Sequence, residues 1–222
     1  MADRVAKAAL FDGLVSAAKA LASGRRAEIV DVLAQGERTV EDISTEIEQS
    51  VANTSQHLQQ LLRAGLVRTR RDGTRIYYAL ADDRVAELWA MMRAVAAEHV
   101  ADVERLAIAY LGNRNQLQTV TRAELKRRLR SSDVIVLDVR PTAEYQAGHI
   151  AGAISTPINE LRKQTIADLP PDADVIAYCR GPYCVYADQA VRALTKQGRR
   201  AARLEDGYPE WARAGLPVRT ST

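Results

Sequence analysis

The run Val175-Ile176-Ala177-Tyr178-Cys179-Arg180-Gly181-Pro182-Tyr183-Cys184-Val185 decides how the second half of the chain folds. Val175 to Tyr178 is short, apolar and β-prone, and reads as a buried strand. It passes into a loop that opens a helix at Val185. A cysteine at the carboxyl end of a parallel strand, on such a loop, is well placed for chemistry. Successive backbone N–H groups can cradle an anion there, and the helix dipole favours negative charge. Both effects draw a thiol toward the reactive thiolate and would hold a terminal persulfide sulfur in the same way. Arg180 is expected to add positive charge for anion binding at the rim. The competing reading of a free cysteine is a buried structural thiol. Position argues against it for Cys179. For Cys184, in the first turn of the helix, both readings stay open.

Outward from the loop, strand-like runs at 134–138, 175–179 and 201–204 alternate with helix-like runs at 122–130, 185–197 and 208–214. This alternation predicts a parallel α/β sheet with helices on both faces. From Leu117 to Val218 the chain resembles the rhodanese family. The resemblance rests on Val136-Leu137-Asp138-Val139-Arg140, Glu144-Tyr145, Gly148-His149-Ile150 with Gly152-Ala153, the loop at Cys179, and Asp206-Gly207 with Trp211 and Pro217. It implies a doubly wound sheet and Cys179 as the nucleophile that forms a persulfide. It also implies that Asp138, Arg140, Glu144 and His149 brace the domain. Many members end a loop of this length with an arginine that binds an anionic donor. Here that position is Cys184, which introduces a resolving thiol able to attack a persulfide on Cys179.

The first half reads as helices with one hairpin. A helix is expected from Asp3 to Ala22, another from Arg25 to Ala34, and a short one capped by Thr39 and Asp42 that runs through Glu48. Ser50 caps a helix over 51–63, which ends at Gly65. Two β-prone runs flank Asp72-Gly73, a hairpin signal. A single long helix is expected from Asp83 to Leu111, and Gly112-Asn113-Arg114-Asn115 reads as a linker, so that domains are placed at 1–112 and 113–222.

Two short helices followed by a hairpin suit a winged helix-turn-helix, whose second helix enters the major groove. The candidate base and phosphate contacts are Ala52, Asn53, Ser55, Gln56, His57 and Gln59 on that helix, with Arg70, Arg71 and Arg75 on the hairpin beside Arg68. For His57 a structural hydrogen bond is the equal alternative. Asn53-Thr54-Ser55-Gln56-His57-Leu58-Gln59-Gln60-Leu61-Leu62-Arg63-Ala64-Gly65-Leu66-Val67, with the Gly73 wing and Tyr77-Tyr78, resembles the ArsR family of bacterial repressors. The resemblance implies a homodimer joined through the first and last helices, 3–22 and 83–111, and an inverted-repeat operator in double-stranded DNA. Many members sense metals or thiols in this domain. Here Val40-Glu41-Asp42-Ile43 contains no cysteine, and His99 with Asp102 reads as a surface pair, so no metal or cofactor is expected.

Composition agrees with a folded cytoplasmic chain. Of 222 residues, 47% are apolar, too many for wholesale disorder, and no apolar run approaches the length of a membrane span. Asp3, Arg4, Lys7 and Asp12 leave no apolar signal core. The two cysteines cannot form a disulfide framework and point to a reducing compartment. Residues 1–112 hold 14 Lys/Arg against 16 Asp/Glu, so DNA binding there must use a local basic patch. The expected function is a transcriptional repressor whose second domain senses reactive sulfur or thiol oxidation through Cys179 and Cys184, with a small sulfur-containing effector. The alternatives are a working sulfurtransferase tethered to DNA, and an arsenite or soft-metal sensor using the same thiols.

Overall fold

The computed structural model describes residues 3–131 and 134–221. The chain divides into two compact units, 1–98 and 99–222. The break falls ahead of the Gly112–Asn115 stretch.

The first unit contains α1 (Arg4–Leu14), α2 (Ser16–Leu21), α3 (Gly24–Leu33), β1 (Arg38–Thr39), α4 (Val40–Glu46), α5 (Val51–Arg63), β2 (Val67–Asp72), β3 (Arg75–Leu80) and α6 (Asp83–His99). Thr39 and Asp42 form a reciprocal capping box on α4, and Ser50 Oγ accepts from Asn53 N at 3.2 Å to start α5. These caps satisfy amide donors that a helix start leaves orphaned. The apolar faces of α3, α4 and α5 meet through Ile29, Val30, Ile43, Leu58 and Leu61, all fully buried. β2 and β3 pair antiparallel around Gly73, whose φ of +58° suits a glycine, and β1 joins the other edge of β3.

Two helix expectations are corrected. The 3–22 helix is split at Val15, and the 83–111 helix at Val100, where the backbone turns extended with φ −99° and ψ 106°. Valine's branched Cβ restricts its rotamer in a helix and fits extended backbone. Apolar periodicity carries on across such a break without revealing it.

The second unit holds α7 (Ala101–Leu111), β4 (Thr119–Val120), α8 (Arg122–Ser131), β5 (Val134–Asp138), α9 (Thr142–Ala147), β6 (His149–Ile150), β7 (Ile154–Ser155), a 3₁₀ turn (Ile158–Glu160), α10 (Lys163–Ala167), β8 (Asp174–Tyr178), α11 (Tyr186–Lys196), β9 (Ala201–Leu204), α12 (Tyr208–Arg213) and β10 (Val218–Arg219). Five strands form a parallel sheet in the order β4-β9-β8-β5-β7. One face packs on α11 through Leu137, Val175, Ala177, Ala190 and Leu194, and the other on Leu125 and Trp211. A parallel sheet needs cover on both faces, so its strands read as continuous apolar runs. No helix among the described residues is long and apolar enough to cross a membrane.

Candidate functional site

β8 is the central strand, and its carboxyl end delivers Cys179 to the rim of the sheet, where ligands of open α/β folds gather. Cys179 is 1% exposed and packs among Val139, Ala187 and Val191, while Cys184 is half-buried. Cys179 Sγ lies 3.9 Å from Gly181 O and 3.8 Å from Cys184 O. Through these contacts the Cys179 thiol donates to the loop carbonyls. Amides of Ala187 and Gly181 face the Cys179 sulfur, and those of Tyr186 and Arg180 face the Cys184 sulfur. Burial pushes the Cys179 thiol up. The neighbouring Cys179 side chain lowers Cys184, with help from those amides and the Arg180 charge. Burial thus works against ionisation at the deeper sulfur, Cys179, whereas Cys184 is drawn toward the thiolate.

The loop is held on three sides. Arg180 forms a bidentate pair with buried Glu144, Nη2 to Oε1 at 2.6 Å and Nε to Oε2 at 3.1 Å, and lies over the Tyr186 ring, so its charge is largely committed to that carboxylate. Behind the loop, Tyr208 N donates to Cys179 O at 3.1 Å. A Cβ on Gly207 would lie 2.3 Å from Arg180 C and Gly181 N, so only glycine lets α12 approach this closely. On the third side Arg114 donates to Pro182 O and Cys184 O and pairs with Asp188.

Below the loop, fully buried Arg140 grips Asp138 at 2.9 and 2.6 Å and donates to Gly148 O at 2.7 Å. Tyr178 Oη donates to the same Asp138 at 2.5 Å. The carboxylate keeps that phenol protonated, and burial, the largest cause, raises its pKa further. His149 stacks on Tyr145 at 3.7 Å, with Nδ1 2.9 Å from Tyr145 O. Paired buried charges of this kind hold a geometry more than they add stability.

Arg114, Asp188 and Arg203 escaped the sequence reading. Asp188 and Arg203 interrupt apolar runs that the structure buries, which is the signal for a paired internal charge. Arg114 carried no signal, because a charged residue in a glycine-asparagine stretch reads as solvated.

In the first unit, α5 buries Thr54, Leu58 and Leu61 and exposes Ala52, Asn53, Gln56 and Gln59, with Ser55 and His57 partly exposed. His57 Nδ1 is buried without a hydrogen-bond partner among the described residues. On the wing, Arg71 and Arg75 are exposed. Arg70 bonds to Glu37 at 3.2 Å and Asp72 at 3.3 Å and lies over the Tyr77 ring. That pairing holds the Glu37 carboxyl below its usual range. Asp102 pairs with Arg105 at 3.1 Å. Among the described residues no group of three or more His, Cys, Asp or Glu could hold a metal ion.

Two family models match. Residues 23–69 match the bacterial regulatory protein, arsR family, and residues 121–214 match the rhodanese-like domain. The HTH-type transcriptional regulator Rv0324 of Mycobacterium tuberculosis is 51% identical over 212 residues, 96% of this chain and 92% of that protein. A sulfurtransferase of Allochromatium vinosum is 38% identical over 89 residues, 40% of this chain and 80% of that protein. A homodimeric winged helix-turn-helix DNA-binding domain from Mycobacterium bovis is similar at 49% identity and TM-score 0.41, covering 45% of this chain and 91% of that fragment.

Proposed function

Because the chain belongs to the arsR family of bacterial regulatory proteins and carries a rhodanese-like domain as its second unit, we propose that it is a transcriptional regulator whose operator affinity follows the sulfur state of Cys179 and Cys184. The observation that carries this reading is the placement of both thiols in one loop at the carboxyl end of β8, with Cys179 Sγ 3.8 Å from Cys184 O.

The chemistry is transfer from a low-molecular-weight persulfide, R–S–SH. With its proton passed to Cys184, the Cys179 thiolate attacks the terminal sulfur, the donor S–S bond breaks, and R–S⁻ leaves. This places a persulfide on Cys179. Cys184 then gives its proton to R–S⁻ and attacks Cys179 Sγ, the Cys179–Cys184 disulfide forms as the persulfide S–S bond breaks, and the outer sulfur leaves as HS⁻. Two thiols are oxidised and the transferred sulfur is reduced to sulfide. Asp138, Arg140, Glu144 and His149 brace the site without touching the reacting sulfurs. Arg180 contributes its charge mainly to Cys184 and its geometry through Glu144.

In the first unit, Ala52, Asn53, Gln56 and Gln59 form the exposed face offered to bases, with Ser55 and His57 at its edge. Arg71 and Arg75 meet phosphates, and Arg70 joins them once its carboxylate pairs open. The exposed apolar side chains Val5, Leu10, Phe11 and Leu14 on α1, Leu88, Met91 and Val95 on α6, and Leu106, Ile108 and Tyr110 on α7 support a homodimer through these helices. A two-fold dimer reads an inverted repeat.

The test is operator affinity before and after treatment with a persulfide donor, in the wild type, Cys179→Ser and Cys184→Ser. A shift of about tenfold or more, abolished by either substitution, is expected. Equal affinity throughout would sink the reading. The match to a sulfurtransferase favours a second activity, turnover from donor to an acceptor thiol. Turnover that survives Cys184→Ser would make Cys184 incidental and the protein a tethered enzyme.

A further inference from the structure

We propose that Arg114 is a positioning residue that ties the second half of the cysteine loop to the segment between α7 and β4, and that conversion of the thiol pair releases it. The proposal rests on the sulfur-state reading above for its trigger.

Arg114 lies between the end of α7 and β4, in a stretch whose composition promises a solvated side chain. Its guanidinium instead crosses to the loop. Nη1 donates to Pro182 O at 2.6 Å, Nη2 to Cys184 O at 3.1 Å, and Nε to Asp188 Oδ2 at 2.5 Å. All three nitrogens are engaged, which uses the planar fork that a lysine lacks. Beside it, Arg192 of α11 donates to Asn113 O at 2.9 Å. Residues 113 and 114 are thus fastened to the loop and to the helix it opens.

The charge beneath the loop is unbalanced. Arg203 lies 2.9 Å from Asp188 Oδ1, within ion-pair distance but without hydrogen-bond geometry. Its Nη2 is buried with no hydrogen-bond partner among the described residues. Two guanidiniums therefore share the one carboxylate of Asp188. Burial and the charge of Arg114 pull Arg203 below its ordinary pKa, and both cysteine sulfurs lie within its field. The cluster favours an anionic sulfur in the loop and keeps Arg114 dependent on the loop carbonyls for its place.

Steric constraints set the direction of release. Cys179 is buried in the cluster that holds Val139, Ala187 and Val191, so its side chain has little freedom to move alone. A disulfide would bring the two sulfurs to about 2.05 Å, far inside hydrogen-bond distance. The loop must therefore shift when the disulfide forms. Its first half cannot retreat, because Gly207 stands against Arg180 and Gly181. The displacement falls on Pro182 to Cys184, whose carbonyls Arg114 holds. Hydrogen bonds of these lengths and angles fail over a shift of about 1 Å.

The experiment is amide hydrogen exchange on peptides spanning 112–118 in the full-length protein, reduced and after sodium tetrasulfide, with the sulfur content of Cys179 and Cys184 read by mass spectrometry. In the wild type, exchange over 112–118 should speed up by about tenfold or more once the cysteines are modified. In Arg114→Ala it should be fast in both states although the cysteines still accept sulfur. The operator-affinity ratio between the two states should then fall to within about twofold. Arg114→Lys, which keeps the charge and loses the fork, should behave like Arg114→Ala. Unchanged wild-type exchange with the cysteines fully modified would overturn the proposal. So would a wild-type affinity ratio in folded Arg114→Ala. Faster exchange without any change in operator affinity would retain the latch and reject the sensor reading.

Discussion

The neighbouring Cys179 side chain holds the Cys184 thiol below its usual range, with backbone amides and the Arg180 charge assisting. Thiolate is the reacting form. Its alkylation rate should therefore stay high as pH falls below the usual thiol range, and drop only through its own lowered pKa. Cys179→Ala removes that neighbour and leaves burial, which raises the pKa, in control. The midpoint for iodoacetamide labelling of Cys184 should then move up, as read by mass spectrometry across pH. A midpoint that stays put or falls would contradict the influence of Cys179 on Cys184. At this scale the motif residues were legible in the sequence, but their ranking was not. Depth of burial sets the two sulfurs apart, and burial belongs to the folded chain.

α5 and the wing show the same division at the scale of elements. Thr39, Asp42, Ser50, Gly65 and Gly73 mark the element ends through local chemistry, so these boundaries follow from sequence. The state of the wing arginines depends instead on partners from other elements. Arg70 is tied to Glu37 ahead of β1, whereas Arg71 and Arg75 are exposed. Removing one arginine–phosphate interaction should lower the salt slope of operator binding by about one. Arg71→Ala and Arg75→Ala should each show that change, and Arg70→Ala a smaller one, because Arg70 must first give up a carboxylate pair. Titrations across several salt concentrations measure the slopes. Equal slopes for all three variants would mean that the Glu37 pair opens without cost on DNA. The breaks at Val15 and Val100 were hidden for a related reason. Helical spacing persists across a one-residue interruption, while the backbone does not.

At the scale of the whole molecule, the apolar side chains left exposed on α1, α6 and α7 need cover that the described residues of one chain do not supply. We expect a dimer that Leu14→Asp or Met91→Asp shifts toward monomer, measured by sedimentation equilibrium at micromolar concentration. Operator affinity should fall with it, since two half-sites must be engaged together. Persulfide acceptance at Cys179 and Cys184 should persist in the monomer, because the loop is built wholly within the second unit. Retention of the dimer in both variants would place its interface elsewhere.

The amino-acid sequence by itself determined the two fold types, the helix-turn-helix with its hairpin, the main strands and helices of the second half, and the thiol pair, because these depend on local periodicity, caps and short motifs. Tertiary structure alone decided that Cys179 is the deeper thiol, that Gly207 admits no side chain, and that Arg114 holds a loop about 70 residues further along the chain. Each of these depends on groups distant in sequence meeting in a dry, close-packed interior. There a charge must find a partner, a thiol loses its solvent, and a single methyl group has no space.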